Sequence, residues 1–574
     1  MVKKILQKGK NIFIIPQSSI LSAASIIMLM IMASRILGLV RQRALAYYFT
    51  AEKLSLFFAA FRLPDLVFEV LVFGTFASAF IPVFTRELKK NEREAWRLAA
   101  IIANIGLLVF LGAGLLLIGF SDNLYQIIAP GFGEAEREQI VALTKILFAA
   151  QGFFVISYVL TGVLESMRRF LVPALAPIFY NLGIILGTIL LSSRLGLLAP
   201  AIGVFVGALL HFLIQLPLAM RLGFRFIPEI KITSGVKRIG RLAFPRMIEV
   251  SFLQILKMAE LYFASLISTA SYTYYTFGNT LQLLPLGLFG ISIAKAALPT
   301  LSALSDSRKE FGRVLTKSLR EMVFLTAPVA TILVVLRIPI VRLVYGTDIF
   351  TWESTVQTGY VLSAFALGVV FQAASALLSR AFYALQDTKT PVIVSITTTL
   401  IIVLLDLVFI RVFSYGVWGL AAAFSIGSSI QALTLFYLIN KRLNGKFSFS
   451  YFSPFVKYIL AALGSGFVMY VLLKIFDKSV WVKRLSFLGR LESSKYLAFE
   501  NFVLDTRFTI NLLVLTILVS LVGLFIYLGL SVLLKTKEIY TFYNLAKRII
   551  VRRKVGTLPA EDQEPVSSTP TDIT

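Results

Sequence analysis

The sequence predicts an all-α integral membrane protein of about fourteen transmembrane helices, in two pseudo-symmetric six-helix lobes followed by two C-terminal helices. Three observations predict it. Mean hydropathy is +0.83 and 57% of the 574 residues are hydrophobic, so runs of about 20 apolar residues, enough to cross a hydrocarbon core, recur along the chain. Basic residues collect on alternate connections between those runs, the pattern of loops held on the cytoplasmic side. Two pairs of motifs also recur at one spacing, the mark of an internal repeat. The alternation over about ten residues that marks a transmembrane β-barrel is absent.

Taken in order, spans 1 to 6 fall near 19–48, 54–85, 95–120, 138–167, 172–193 and 197–220. Spans 7 to 12 fall near 238–267, 272–303, 311–336, 354–385, 391–412 and 416–440, and spans 13 and 14 near 452–476 and 508–535. Residues 1–18 form a basic N-terminus with Lys3, Lys4, Lys8 and Lys10. The run that follows is too long for a signal peptide, and Arg35, Arg41 and Arg43 interrupt it where a cleaved h-region stays apolar. Arg86, Lys89, Lys90, Arg93 and Arg97 lie between spans 2 and 3, and Arg168 and Arg169 follow span 4. Arg221, Arg225, Lys231, Lys237, Arg238 and Arg241 surround the connection between spans 6 and 7. This places both termini in the cytoplasm. It also accounts for the net charge of +26 as topology and attraction to membrane lipids, with no nucleic-acid partner.

The prolines of "ASAFIPVFTREL" and "AKAALPTLSALS", Pro82 and Pro299, are 217 positions apart; those of "GVLESMRRFLVPAL" and "AFYALQDTKTPVIV", Pro173 and Pro391, are 218 apart. Two pairs at one offset predict a parallel repeat with a site at the midplane between its halves. The expected division is an N-lobe over 19–222 and a C-lobe over 223–443. Residues 444–537 then hold spans 13 and 14 around an extracytoplasmic insertion at 477–507, and 538–574 form a cytoplasmic tail, disordered from Gly556 by its composition.

Ionisable residues inside spans mark pathways and sites. At 100° per residue, Arg246, Glu249, Lys257 and Glu260 of span 7 share a face about 80° wide, and Arg62, Asp65 and Glu69 of span 2 share another. Each stripe reads either as a salt-bridge seam between helices or as the wall of a wet central cavity. Span 1 differs, because Arg35 and Arg41 have no acid in their own span. They are set to pair with Asp65 or Glu69 or to capture an anion, and guanidinium forks suit phosphate oxygens. Because about 240° separates them on an ideal helix, a bend at Gly38 is expected to bring both to one cavity, while Arg43 anchors at the interface. Asp406, without a local partner, is a candidate site for a cation or a proton. His211 reads as a packed residue, and Lys295 either snorkels or enters the cavity. There is no cysteine, one histidine, no Walker A pattern, no HExxH and no GxSxG. No catalytic residues, metal site or cofactor are therefore expected.

"SRILGLVR", "FFAAFRLPDL", "GTFASAFIPVF", "APGF", "RRFLVPALAPIFYNL", "LPLGLFGISIAKAALPTLS" and "FYALQDTKTPV" together resemble the MurJ/MviN family of lipid II flippases, within the multidrug/oligosaccharidyl-lipid/polysaccharide exporter superfamily. The resemblance runs from about Ser34 to Leu443. It implies a non-enzymatic flippase that moves undecaprenyl-diphosphate-linked disaccharide-pentapeptide from the inner to the outer leaflet of the bacterial cytoplasmic membrane, by alternating access and without ATP. The family's first-helix arginines, thought to engage the diphosphate, correspond to Arg35 and Arg41. Some members bind Na+ through an acid on span 11, where this chain has Asp406. Na+ or H+ coupling and a dependence on membrane potential are thus expected, with cell-wall synthesis enzymes as further partners.

The chain departs from the family at several cavity charges. Gln42 and Ser55 stand where acids are usual. Phe68, Glu69, Phe73 and Gly74 replace a basic pair and an acid, and Thr280, beside Asn279, replaces an arginine. The expected substrate contacts are accordingly Arg35, Arg41, Arg62, Glu69, Arg246, Glu249, Lys257, Glu260, Asn279 and Thr280, with Arg246 and Lys257 supplying the missing cations. Two other readings stay open. One is a flippase for another polyprenyl-diphosphate glycan. The other is a non-transporting scaffold for cell-wall enzymes. A cationic-drug exporter is disfavoured because the arginines of span 1 would repel its cargo.

Overall fold

The computed structural model describes residues 20–443, 453–477 and 504–540. The expectations for 1–18, for most of the 477–507 insertion and for the tail beyond 540 lie outside the described residues. The first half comprises α1 (Ile20–Tyr48), α2 (Ala51–Ala60), α3 (Arg62–Phe68), α4 (Gly74–Lys90), α5 (Glu92–Gly119), α6 (Ser121–Ile128), α7 (Glu134–Ser166), α8 (Leu171–Leu195) and α9 (Leu198–Arg221). The second comprises α10 (Ser234–Ile267), α11 (Ser271–Pro285), α12 (Ser292–Ala303), α13 (Arg308–Val335), α14 (Arg337–Tyr345), α15 (Trp352–Ala384), α16 (Lys389–Leu407) and α17 (Trp418–Arg442). Then come α18 (Ser453–Phe476) and α19 (Thr509–Leu533).

Among the described residues twelve helices are long and apolar enough to cross a membrane. The other two expected spans fall on α1 and on the broken rod α2–α3–α4, which are outside that twelve. The fold class is all-helical, as the sequence predicts; two residues, Asp477 and Leu504, form an isolated β-bridge at the base of the insertion.

Local chemistry sets the helix ends. The Asn91 side chain accepts from the amides of Arg93 and Glu94, capping α5. Thr233 caps α10 through the Val236 amide, and Thr351 caps α15 through Ser354. Each satisfies a donor left over in a first turn.

Several features recur at the spacing of the sequence repeat. The second rod of each half is broken by a π-helical turn, at Glu69–Phe73 and at Leu286–Ile291, and each turn precedes its proline, Pro82 or Pro299. Arg168 and Gln386, 218 positions apart, both adopt φ 59° just past the ends of α7 and α15, a left-handed conformation uncommon outside glycine. Helix neighbours repeat as well: α1 on α8 and α10 on α16, α7 on α9 and α15 on α17, α5 on α7 and α13 on α15.

Within the first half, α8 and α9 meet almost backbone to backbone. A Cβ on Gly187 would lie 2.6 Å from the Gly203 Cα, and Gly183 and Gly207 repeat the contact one turn away. Small residues four apart on both helices permit that approach, which is how helices gain contact in lipid. The last two helices pack on each other and on α13, where the Tyr527 hydroxyl donates to the Phe324 carbonyl at 2.9 Å.

The buried core locates the space between the halves. At one end a single cluster runs continuously from Leu54, Phe57 and Leu63 of the first half to Tyr275, Phe277 and Tyr345 of the second. At the other end, where the basic connections lie, there are two clusters. One is built around Phe80, Phe84 and Trp96, the other around Leu301, Phe311 and Phe382. The core is thus single at one end and divided in two at the basic end, where the first cluster also takes in Ile239 and Ala243 of α10.

Candidate functional site

Where the halves meet at the shared-core end, several contacts are polar and neutral. Ser55 and Thr273 face each other with hydroxyl oxygens 2.9 Å apart, and the Thr273 amide donates to the Ser55 hydroxyl. These residues are 218 positions apart, so each touches its own counterpart in the repeat. A contact between equivalent positions lies on the symmetry axis that relates them. The Gln42 amide donates to the Thr280 hydroxyl at 3.0 Å, and the Tyr345 hydroxyl donates to the Gln42 carbonyl oxygen at 2.7 Å. Gln42, Ser55 and Thr280 are three of the positions at which charges are expected from the family; here, neutral hydrogen bonds join the halves in their place.

The arginines of span 1 separate. α1 is one continuous helix through Gly38. Six residues advance the helix by about 9 Å and 240°, so the two guanidinium groups serve different points. Arg35 is exposed, and its Nη1 lies 3.5 Å from the Leu283 carbonyl. It rests against Gly287 in the π turn of the second half, where a Cβ would come within 2.7 Å of that nitrogen. Arg41 is half-buried, within electrostatic range of Tyr180 and Tyr345. Among the described residues neither has an ion pair. Arg43 is not simply an interfacial anchor: it donates to the Leu343 carbonyl at 2.7 Å and to that of Val344 at 3.3 Å. A cation there complements the C-terminal end of α14.

The two acidic–basic stripes meet as a seam. Lys257 of α10 donates to both carboxylate oxygens of Glu69 at 2.8 and 3.0 Å, and Gln254 donates to the same group. Arg62 lies 3.4 Å from Asp65 and 5.9 Å from the centre of the Tyr272 ring, while Gln151 donates to Asp65 at 2.6 Å. Arg246 pairs with Glu249 one turn away at 2.5 Å. Glu260, 8% exposed, leaves the stripe to accept from the Tyr275 hydroxyl. Asn279 accepts from Gln282, which in turn accepts from Gln372. Arg62, Arg246 and Lys257 thus each carry a carboxylate, and Arg35 and Arg41 carry none.

Asp406 is fully buried, and among the described residues neither carboxylate oxygen has a hydrogen-bond partner; Glu260 and Tyr275 are within electrostatic range. His211 is packed between the Phe154 and Tyr158 rings, and its Nδ1 lies 2.6 Å from the Ser157 hydroxyl. Lys295 is exposed. Among the described residues no group of three or more His, Cys, Asp or Glu side chains could hold a metal.

Sequence reasoning missed Gln254, Gly287 and Tyr345. Gln254 was legible: it precedes Lys257 by three residues, on the same face of one helix. Nothing local marks Gly287 or Tyr345, which matter only through the other half.

Two helical halves about an axis, with a charged seam where they meet, are the architecture of a membrane transporter. Solved structures agree on the fold. A multidrug-resistance MATE family transporter of the MOP superfamily, in an inward-facing conformation, superposes with a TM-score of 0.61 at 15% identity, over 72% of this chain and 94% of that one. More specifically, the chain belongs to the lipid II flippase MurJ family, whose model matches residues 45–491. The probable lipid II flippase MurJ of Vibrio cholerae is 30% identical over 73% of this chain and 82% of its own length. That of Thermotoga maritima is 27% identical over 88% and 95%. A solved lipid II flippase MurJ in an inward closed conformation has a TM-score of 0.69 at 26% identity, covering 87% of this chain and 97% of that one.

Proposed function

We infer that this protein is a lipid II flippase, carrying the lipid-linked peptidoglycan precursor from the inner to the outer leaflet of a bacterial cytoplasmic membrane by alternating access. The observation that carries the reading is the pair of span-1 arginines. Of the cations expected to contact substrate, Arg35 and Arg41 are the ones left without a carboxylate once Asp65, Glu69 and Glu249 have neutralised Arg62, Lys257 and Arg246. Each is an unpaired guanidinium suited to phosphate oxygens, at its own point along α1. The glycan and peptide occupy the space between the halves, and the polyprenyl tail stays in lipid. The positive-inside pattern puts the basic end, where the core is divided in two, in the cytoplasm together with both termini. This arrangement receives substrate from the inner leaflet. Arg246 and Lys257 supply cations from α10 once their own carboxylates are displaced.

Asp406 is the coupling site in this reading. A buried carboxylate with both oxygens orphaned is costly alone and suits a small hard cation or a proton. Na+ should raise the thermal stability of the purified protein, and Asp406→Asn should abolish that rise; a rise that persists removes Asp406 from the role.

The test of function is rescue of a bacterium depleted of its own lipid II flippase. Wild type should prevent lysis. Arg35→Ala and Arg41→Ala should fail at equal membrane abundance, and Lys257→Ala should rescue weakly. Failure of well-expressed wild type counts against lipid II as cargo. Rescue by all three variants removes the diphosphate role and favours a scaffold for cell-wall enzymes.

A further inference from the structure

A second basic site lies away from the central space, in a cavity of about 720 Å³ at the basic end of the second half. Three elements form it: the start of α13, the end of α17, and the chain just past α19. Six cations line it: Arg308, Lys309, Arg313, Lys317, Arg320 and Lys537. Two carboxylates, Glu321 and Glu538, accompany them. The floor is apolar, made by Leu315, Leu319, Phe436, Ile439 and Leu443.

The internal pairings leave most of this charge available. Arg313 lies 3.5 Å from Glu310 and Lys317 lies 3.9 Å from Glu321. Both cations are mostly exposed, at 80% and 68%, and such pairs within one helix are weak. Among the described residues Arg308, Lys309, Arg320 and Lys537 have no ion pair, and the Arg320 Nε is buried without a hydrogen-bond partner. The volume is in the range of small-ligand sites, far more than a lone phosphate fills. α13 begins here and α17 and α19 end here, so the cavity lies at the level where lipid headgroups meet water. A free anion would use the cations and leave the floor bare. A phospholipid uses both, setting its phosphodiester among the cations and its glycerol and upper acyl carbons on the leucines and Phe436.

We propose that this cavity is a binding site for the headgroup of an anionic phospholipid of the leaflet on the basic side. It holds the base of α13 to α17 and to the segment after α19, and it is separate from the path of the transported lipid.

The test is binding of phosphatidylglycerol and phosphatidylcholine to the full-length protein in neutral detergent, with sn-glycerol 1-phosphate as competitor. Wild type should prefer phosphatidylglycerol. Each exposed cation near an anionic headgroup is worth roughly a fivefold change in affinity, so Lys309→Gln/Arg313→Gln/Lys537→Gln should lose on the order of 100-fold. These side chains lie at the rim, and an unchanged melting temperature without lipid confirms that the variant is folded. Arg507→Gln, beyond the opposite end of α19, should keep the preference. Equal affinity for the two lipids, or full preference in the triple variant, overturns the proposal. So does an equal loss in Arg507→Gln, which would indicate general surface charge. Displacement by glycerol phosphate at the lipid's own concentration reassigns the cavity to a free anion and also overturns it.

Discussion

Lys257 and Glu69 illustrate how single residues replace a missing charge pattern. The ammonium and carboxylate are 2.8 Å apart, with side chains 35% and 28% exposed, so the pair escapes the cost of full burial and is screened by water. A double-mutant cycle with Lys257→Met and Glu69→Gln, read by thermal unfolding in detergent, should give a coupling of about 1 kcal/mol. A coupling of zero would show that the two do not interact. The same pair bears on transport. While Glu69 occupies Lys257, that lysine is shielded from other anions, so a diphosphate entering the space competes with a resident carboxylate. Asp406 is the converse case, a carboxylate with no hydrogen-bond partner among the described residues.

At the scale of elements, the connection between the halves is held by side chains that composition alone cannot connect. Arg97 at the start of α5 donates to both Glu229 oxygens, at 2.6 and 2.5 Å, and Asn104 donates to the Ile227 and Glu229 carbonyls. The Arg97 hydrogen bonds hold the Glu229 carboxyl below its usual range. A lowered folded-state value means stabilisation that is complete above the ordinary glutamate value of about 4.3 and lost as pH falls through the lowered one. Wild type should therefore melt higher than Glu229→Gln at neutral pH, with the gap closing below about pH 4. A gap independent of pH would contradict the assignment.

Most of the elements were legible in the sequence, because hydrophobic length and alternating basic loops are strong local signals. The π turns at Glu69–Phe73 and Leu286–Ile291 were not. An extra residue in a helical turn shifts the helical phase by about 100°, and in spans apolar on most faces that shift leaves no visible mark. The candidate site was legible in part. The seam between spans 2 and 7 followed from helical arithmetic within each span. The divergence of Arg35 and Arg41 also followed from that arithmetic, and the helix runs continuously through Gly38 between them. What each meets, Gly287 or Tyr345, lies about 250 to 300 residues away, beyond any local periodicity.

For the whole molecule, the repeat spacing of 217 to 218 residues recurs as geometry. It appears in the π turns, in the left-handed residues Arg168 and Gln386, and in the Ser55–Thr273 contact. A transporter that alternates about this axis must part Ser55 from Thr273 to open the end that is now closed. The chain has no cysteine, so Ser55→Cys/Thr273→Cys creates one defined pair whose side chains already touch. The decisive measurement is lipid II translocation in cells that depend on this protein alone, with that variant oxidised and then reduced. Translocation should stop when the disulfide forms and resume on reduction, with each single cysteine indifferent to oxidant. Translocation that continues with the disulfide fully formed would contradict alternating access through this end.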